Sequence, residues 1–130
     1  MSLSRGLLVG MRVAVALQII VGIALWTGHW YSLVNAHIGI GSLYVLMLWG
    51  IAGVAIAHHR SAGLAAFAFL WGLVIAAFGM TQQGILAGNL HWIVRVIHLV
   101  VGIAAMPLAD RLMAGDAADV VRTDATRSTV

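Results

Sequence analysis

The sequence predicts an all-α integral membrane protein, folded as an up-down-up-down four-helix transmembrane bundle. Three observations carry that expectation. Of 130 residues, 62% are hydrophobic and only 8% charged, at a mean hydropathy of +1.03; a soluble domain has roughly a quarter of its residues charged. The apolar residues form four runs, each close to the ~20 residues that cross a hydrocarbon core as a helix. The runs show no period-2 alternation and are too long for strands, which points to helices rather than a barrel.

The runs extend over about 7–26, 33–57, 62–80 and 91–108, so the bundle is expected within 1–112. The first comes after Arg5 and overlaps Arg12, and has the look of a signal sequence. It leads into Trp26 and Trp30 rather than a small-residue cleavage site, and is read as a retained helix. Thr27-Gly28-His29-Trp30-Tyr31-Ser32 makes the turn into the second run, and His58-His59-Arg60-Ser61 makes the turn into the third. The stretch from Thr81-Gln82-Gln83 to Gly88-Asn89 leads into the fourth. Pro107 stands where it kinks the fourth helix at the membrane exit. Residues 113–130 are polar and mixed in charge, and read as a disordered cytoplasmic tail.

Arg5 and Arg12 near the start, Arg60 between helices 2 and 3, and Arg111, Arg122 and Arg127 after helix 4 lie on one side, while the other two turns hold no Lys or Arg. By the positive-inside rule both termini face the cytoplasm, as for a multi-pass protein of a bacterial inner membrane. Trp26, Trp30, Tyr31 and Trp92 then form an outer aromatic belt. The pI of about 10.7 comes from few arginines set against very few acids. It suits contact with the lipid bilayer, and no clustered basic face or stacking platform points to nucleic acid.

What is missing narrows the chemistry. The chain has no cysteine, which removes disulfides, thiolate metal sites, iron–sulfur clusters and Cys-linked haem. It has no lysine for a Schiff base, no Glu, and four Asp (110, 116, 119, 124) confined to the last stretch, so no carboxylate in mid-membrane is available to drive a carrier. Six histidines remain. In helix 4, His91, Arg95, His98 and Gly102 succeed one another at offsets of four, three and four, on one helical face. Helix 2 carries His37, Gly41 and Tyr44 at offsets of four and three, and helix 1 carries Gln18 in mid-span. Ionisable groups inside a membrane are expensive and mark function by default.

In an up-down-up-down bundle helices 2 and 4 are diagonal neighbours. Histidines on them face each other across the centre, the arrangement that grips a planar macrocycle with one axial imidazole on each side. Gly41 after His37 and Gly102 after His98 remove the side chains that would strike such a ring. Arg95, one turn outward of His98, is placed for a carboxylate that the protein does not encode; haem propionates are such carboxylates. At ~1.5 Å rise per residue, His37 lies roughly 31 Å above His58, while His98 lies roughly 18 Å and His91 roughly 28 Å above Asp110. Depth favours His37 with His91, while the paired glycines and Arg95 favour His37 with His98; the His37–His98 pair is preferred, with His37–His91 the alternative.

With these residues the sequence resembles the small four-helix b-type cytochromes of bacterial membranes. It is also similar to short bacterial integral membrane proteins with a helix-2 histidine and a fourth helix like His91-Trp-Ile-Val-Arg-Val-Ile-His-Leu-Val-Val-Gly102. The likeness covers the four spans and not the tail. It implies one non-covalent haem b with two axial histidines and electron transfer, with quinone, a redox partner protein or a larger membrane complex as partners. Larger members with two haems need four ligands in two layers. Here the inner layer has only His58 and His59 in a loop, so one haem near the outer side is expected.

Plainer readings compete. His29 suits an interface, and His58 and His59 suit a solvated turn. Gln18 and Tyr44 suit bonds between helices. Met11, Met47, Met80 and Met106 suit gap filling, with Met80 an alternate axial ligand. Two other functions stay open: a Zn or Cu site built by His29, His37 and His91 at the outer face, and a non-haem assembly or anchor subunit.

Overall fold

The computed structural model describes residues 3–58 and 61–114; His59, Arg60 and the tail at 115–130 lie outside the described residues. Four helices occur in order: α1 (Leu3–Trp26), α2 (Val34–Ala57), α3 (Ala62–Thr81) and α4 (His91–Ile103). After a turn at Ala104 the chain is helical again over 105–114, so the fourth apolar segment runs His91–Ala114. All four segments are long and apolar enough to cross a membrane, which makes this a multi-pass membrane protein in contact with lipid.

Two boundaries differ from the hydropathy reading. α1 starts at Leu3, four residues before the apolar run, because Ser4, Arg5 and Gly6 interrupt hydropathy without interrupting a helix. The fourth helix reaches 114 rather than 108 and breaks at Ala104, not at its end. Pro107 has no N–H for the carbonyl of Ile103, so the disturbance falls one turn before the proline.

Local chemistry sets the ends. Ser61 caps α3, its hydroxyl accepting from the Leu64 N–H at 3.2 Å. After α1 the Thr27 hydroxyl donates to the Ala24 carbonyl at 2.7 Å, and Gly28 turns the chain at φ 78°. Between α3 and α4, Leu86 and Gly88 take φ values of 47° and 100°. The left-handed region suits Gly88 but strains a leucine.

α1 packs antiparallel on α2, and α2 on α3, through small residues that let backbones approach. Ala14, Ala52, Ala55, Ala65, Ala68, Ala105 and Ala109 are all buried with Met11, Leu48, Ile51 and Leu112. Large apolar side chains such as Ile20, Ile23, Leu46, Leu70, Leu73 and Val100 face outward, which is stable in lipid and not in water. The core is lopsided. Apart from Val94, the fully enclosed side chains lie toward the end that carries the termini. Residues 15–26 of α1, 34–43 of α2 and 76–81 of α3 contribute none.

Keyed contacts fix the register. Gly72 lets the Trp49 ring lie directly on the α3 backbone, where its Nε1–H donates to the Phe69 carbonyl at 3.2 Å. A methyl at Gly72 overlaps that ring. Gly72→Ala is expected to lose about 1–3 kcal/mol of folded stability, as overpacking does. Gly53→Ala, where a methyl meets nothing within 4 Å, is expected to be neutral or stabilising. Unfolding titrations in mixed detergent micelles check both.

Candidate functional site

α1 presents Gln18, Gly22 and Trp26 at four-residue spacing, a single stripe. α2 and α4 present the stripes read from the sequence, and α3 contributes Phe78 and Gly79. These meet in the loosely filled half of the bundle. At its centre the rings of His37 and His98 lie side by side with centroids 6.2 Å apart and planes inclined at 48°. The structure thus brings His37 to His98. His91 stands elsewhere, its Nδ1 3.1 Å from the Ile85 carbonyl in the loop before α4. The depth ladder misled because rise alone leaves out tilt and the offset between helix ends: even counted from Ala114 it sets His98 at ~24 Å and His91 at ~34 Å against ~31 Å for His37.

Glycines do hold the two imidazoles, though not the expected ones. A Cβ on Gly22 would stand 3.4 Å from Cε1 of His37, and one on Gly79 would stand 3.3 Å from Cε1 of His98. Phe78 flanks His98 at 5.8 Å between ring centroids. Gly41 instead seats the Gln18 amide, whose Nε2 lies 2.5 Å from where a Cβ would be. Gly102 opens onto space, with nothing within 4 Å of a Cβ. The signal for Gly22 was present in the sequence as Gln18-x3-Gly22, the spacing also seen in His37-x3-Gly41 and His98-x3-Gly102. Gly79 and Phe78 had none, since α3 carries no polar stripe to set its rotation.

Below this level Tyr44 is buried and donates its hydroxyl to the Gly102 carbonyl at 2.8 Å, tying α2 to α4 beside the break. Trp71 Nε1–H donates to the neighbouring Val101 carbonyl at 3.1 Å. Above it, the Arg95 guanidinium lies over the Trp26 ring, 5.8 Å from its centroid. The one Asp among the described residues, Asp110, pairs with Arg12 at 3.0 Å at the other end of the bundle. Arg95 has a π-face and no carboxylate.

Among the described residues three buried side-chain atoms have no hydrogen-bond partner: Gln18 Oε1, His37 Nδ1 and His98 Nδ1. Buried polar atoms are nearly always bonded, so each asks for an explanation. Among the described residues no group of three or more His, Cys, Asp or Glu side chains converges. His29, His37 and His91 therefore do not form the outer Zn or Cu site. Two imidazoles alone also fall short of the three or four donors zinc takes from a protein. They do suffice for an ion that brings its other ligands. With Nε2 ~1.1 Å from the ring centre and bonds to a transition metal of ~2.0 Å, two imidazoles in line put their centroids ~6.2 Å apart. The centroid separation of His37 and His98 equals that span, and a pair of imidazoles is a donor set that haem iron accepts.

No protein-family model matches the chain, nor does any curated protein or solved structure. The functional reading rests on the geometry alone.

Tyr44→Phe keeps the packing and leaves the Gly102 carbonyl without its donor. It is expected to cost about 1 kcal/mol of folded stability, read by the same micelle titration, with Tyr31→Phe at the exposed far end unchanged.

Proposed function

We propose that this chain is a b-type cytochrome that relays electrons through one non-covalent haem, with His37 and His98 as axial ligands. The observation that carries the reading is the opposed imidazole pair in the half of the bundle that lacks a closed core. Haem iron, when bound, supplies one-electron exchange between its ferric and ferrous states. The chain's own residues do the rest. His37 and His98 would together hold the iron, and a two-imidazole donor set would favour electron relay over oxygen chemistry. Gly22 and Gly79 let the imidazoles lie against helix backbones, and the open space beside Gly102 leaves room for the edge of a ring. Arg95, steadied by Trp26, offers a cation to a carboxylate that arrives with the cofactor.

Arg5, Arg12 and Arg111 share the end that carries the termini, which supports cytoplasmic termini in a bacterial inner membrane and a haem toward the outer face. Electrons then pass between the lipid-facing or outer surface and a donor or acceptor that meets it, a quinol within the bilayer or a redox protein.

Purified protein loaded with haem is expected to show a Soret band and a sharp α-band on reduction. His37→Ala or His98→Ala should abolish or greatly reduce haem retention, while His91→Ala and His58→Ala keep it. Equal retention in all four variants defeats the assignment. A colourless, metal-free preparation supports an anchor subunit instead, and bound zinc or copper without haem supports a bare metal site. Arg95→Leu is expected to lower the reduction potential or loosen the haem, as loss of a cation beside a propionate requires; redox titration and haem release to an acceptor protein measure the two effects.

A further inference from the structure

Gln18 is the lone polar side chain between Arg12 and the end of α1, set in the middle of an apolar helix. Its amide does not project to the lipid. It lies across the α1–α2 seam in the notch left by Gly41, and its Oε1 is buried with no partner. One turn along the same seam, the Cε1 edge of His37 lies in the notch left by Gly22, and the Nδ1 beside that carbon is likewise buried with no partner. The two notches are reciprocal. Gly22 comes four residues after Gln18 and Gly41 four after His37, so antiparallel packing sets the two polar heads on one seam, about one helical turn apart.

We infer that Gln18 is the positioning residue of His37: its amide oxygen accepts the proton on His37 Nδ1, directly or through one water. The inference rests on the cytochrome reading for its purpose, though not for its existence. Neutral imidazole carries a single N–H, and a ring that offers Nε2 to a metal must carry that proton on Nδ1. A donor left unsatisfied in a membrane interior is costly, and metal-bound histidines almost always give this proton to an acceptor. The backbone carbonyls around His37 belong to the helix ladder. Gln18 Oε1 is the acceptor left over on the facing helix. The terminal torsion of a glutamine is broad, so a turn of the amide carries its oxygen toward the ring without moving the helix.

Glutamine also suits the site chemically. Its amide accepts a hydrogen bond without adding charge to a low-dielectric interior, where an ionised carboxylate is far more expensive. The glycine at position 41 then has a defined task. A methyl there would stand 2.5 Å from the Gln18 Nε2, so Gly41→Ala displaces the amide without deleting it.

The test uses the full chain in lipid bilayers, with 15N-labelled histidine, in the haem-free and the haem-loaded state. In the haem-free wild type, solid-state NMR should find His37 protonated at Nδ1 with the shift of a hydrogen-bonded N–H. Gln18→Met, close in shape and without an acceptor, should lose that shift, and Gly41→Ala should weaken it. Identical His37 resonances in wild type and both variants overturn the inference, whether or not haem binds. Absence of haem binding by the wild type overturns the cytochrome reading and leaves the NMR result standing. In the loaded protein Gln18→Met should weaken haem affinity ~10-fold or more and raise the reduction potential, because the axial imidazole donates less. Gln18→Glu should move the potential the other way. A purely structural Gln18 would shift both variants in the same direction or neither, and that pattern also overturns the inference.

Discussion

An imidazole inside hydrocarbon has one N–H to give and one lone pair to place, and there is no water to take either. This bundle holds two such rings 6.2 Å apart on diagonal helices, with a buried, unbonded Nδ1 on each. The surrounding structure makes sense in terms of that demand. Alanines and one glycine close the core tightly at the termini end, which stabilises the fold without help from the polar half. The far half is left free to be organised by whatever the rings hold. Tyr44 and Trp71 bond to the carbonyls of Gly102 and Val101, pinning the fourth helix near its break and fixing which way His98 turns.

The fold was legible in the sequence because a bilayer enforces a simple rule. Length and apolarity alone yield four spans, and the helical offsets of His37, Gly41 and Tyr44 and of Arg95, His98 and Gly102 mark the inward faces of helices 2 and 4. Which histidine met His37 was partly legible: the glycine spacing and Arg95 favoured His98, which stands beside it. Depth counted along each helix pointed to His91, because rise alone leaves out tilt and the offset between helix ends. The roles of the glycines were half legible. Spacing showed that glycines mattered on these faces, but the partner of each depends on how the helices are rotated. Gly41 receives Gln18 rather than clearing a ring, and the imidazoles lie against Gly22, which the Gln18-x3-Gly22 spacing hinted at, and Gly79, which nothing in the sequence marked.

Charge tells a similar story. Arg12 finds Asp110 near the termini, an ordinary and exposed ion pair worth little. Among the described residues Arg95 finds the face of Trp26 and no carboxylate. A guanidinium that leans on an indole keeps its positive charge while losing some hydration, and so remains an attractive partner for an incoming carboxylate. The polarity of the site is thus incomplete in three places: a cation without an anion, two imidazoles without an ion, and an amide oxygen without a donor. Under the proposed function one tetrapyrrole with its own iron and carboxylates would complete the first two, and the nearby histidine would complete the third.

The most direct measurement is near-infrared magnetic circular dichroism of the oxidised, haem-loaded protein, since the charge-transfer band reports the identity of both axial ligands. A low-spin band at the position of two imidazoles, lost in His37→Ala and in His98→Ala alike, is the expected result. A high-spin iron with one histidine, a histidine–methionine band, or a chain that takes up no haem at all contradicts it.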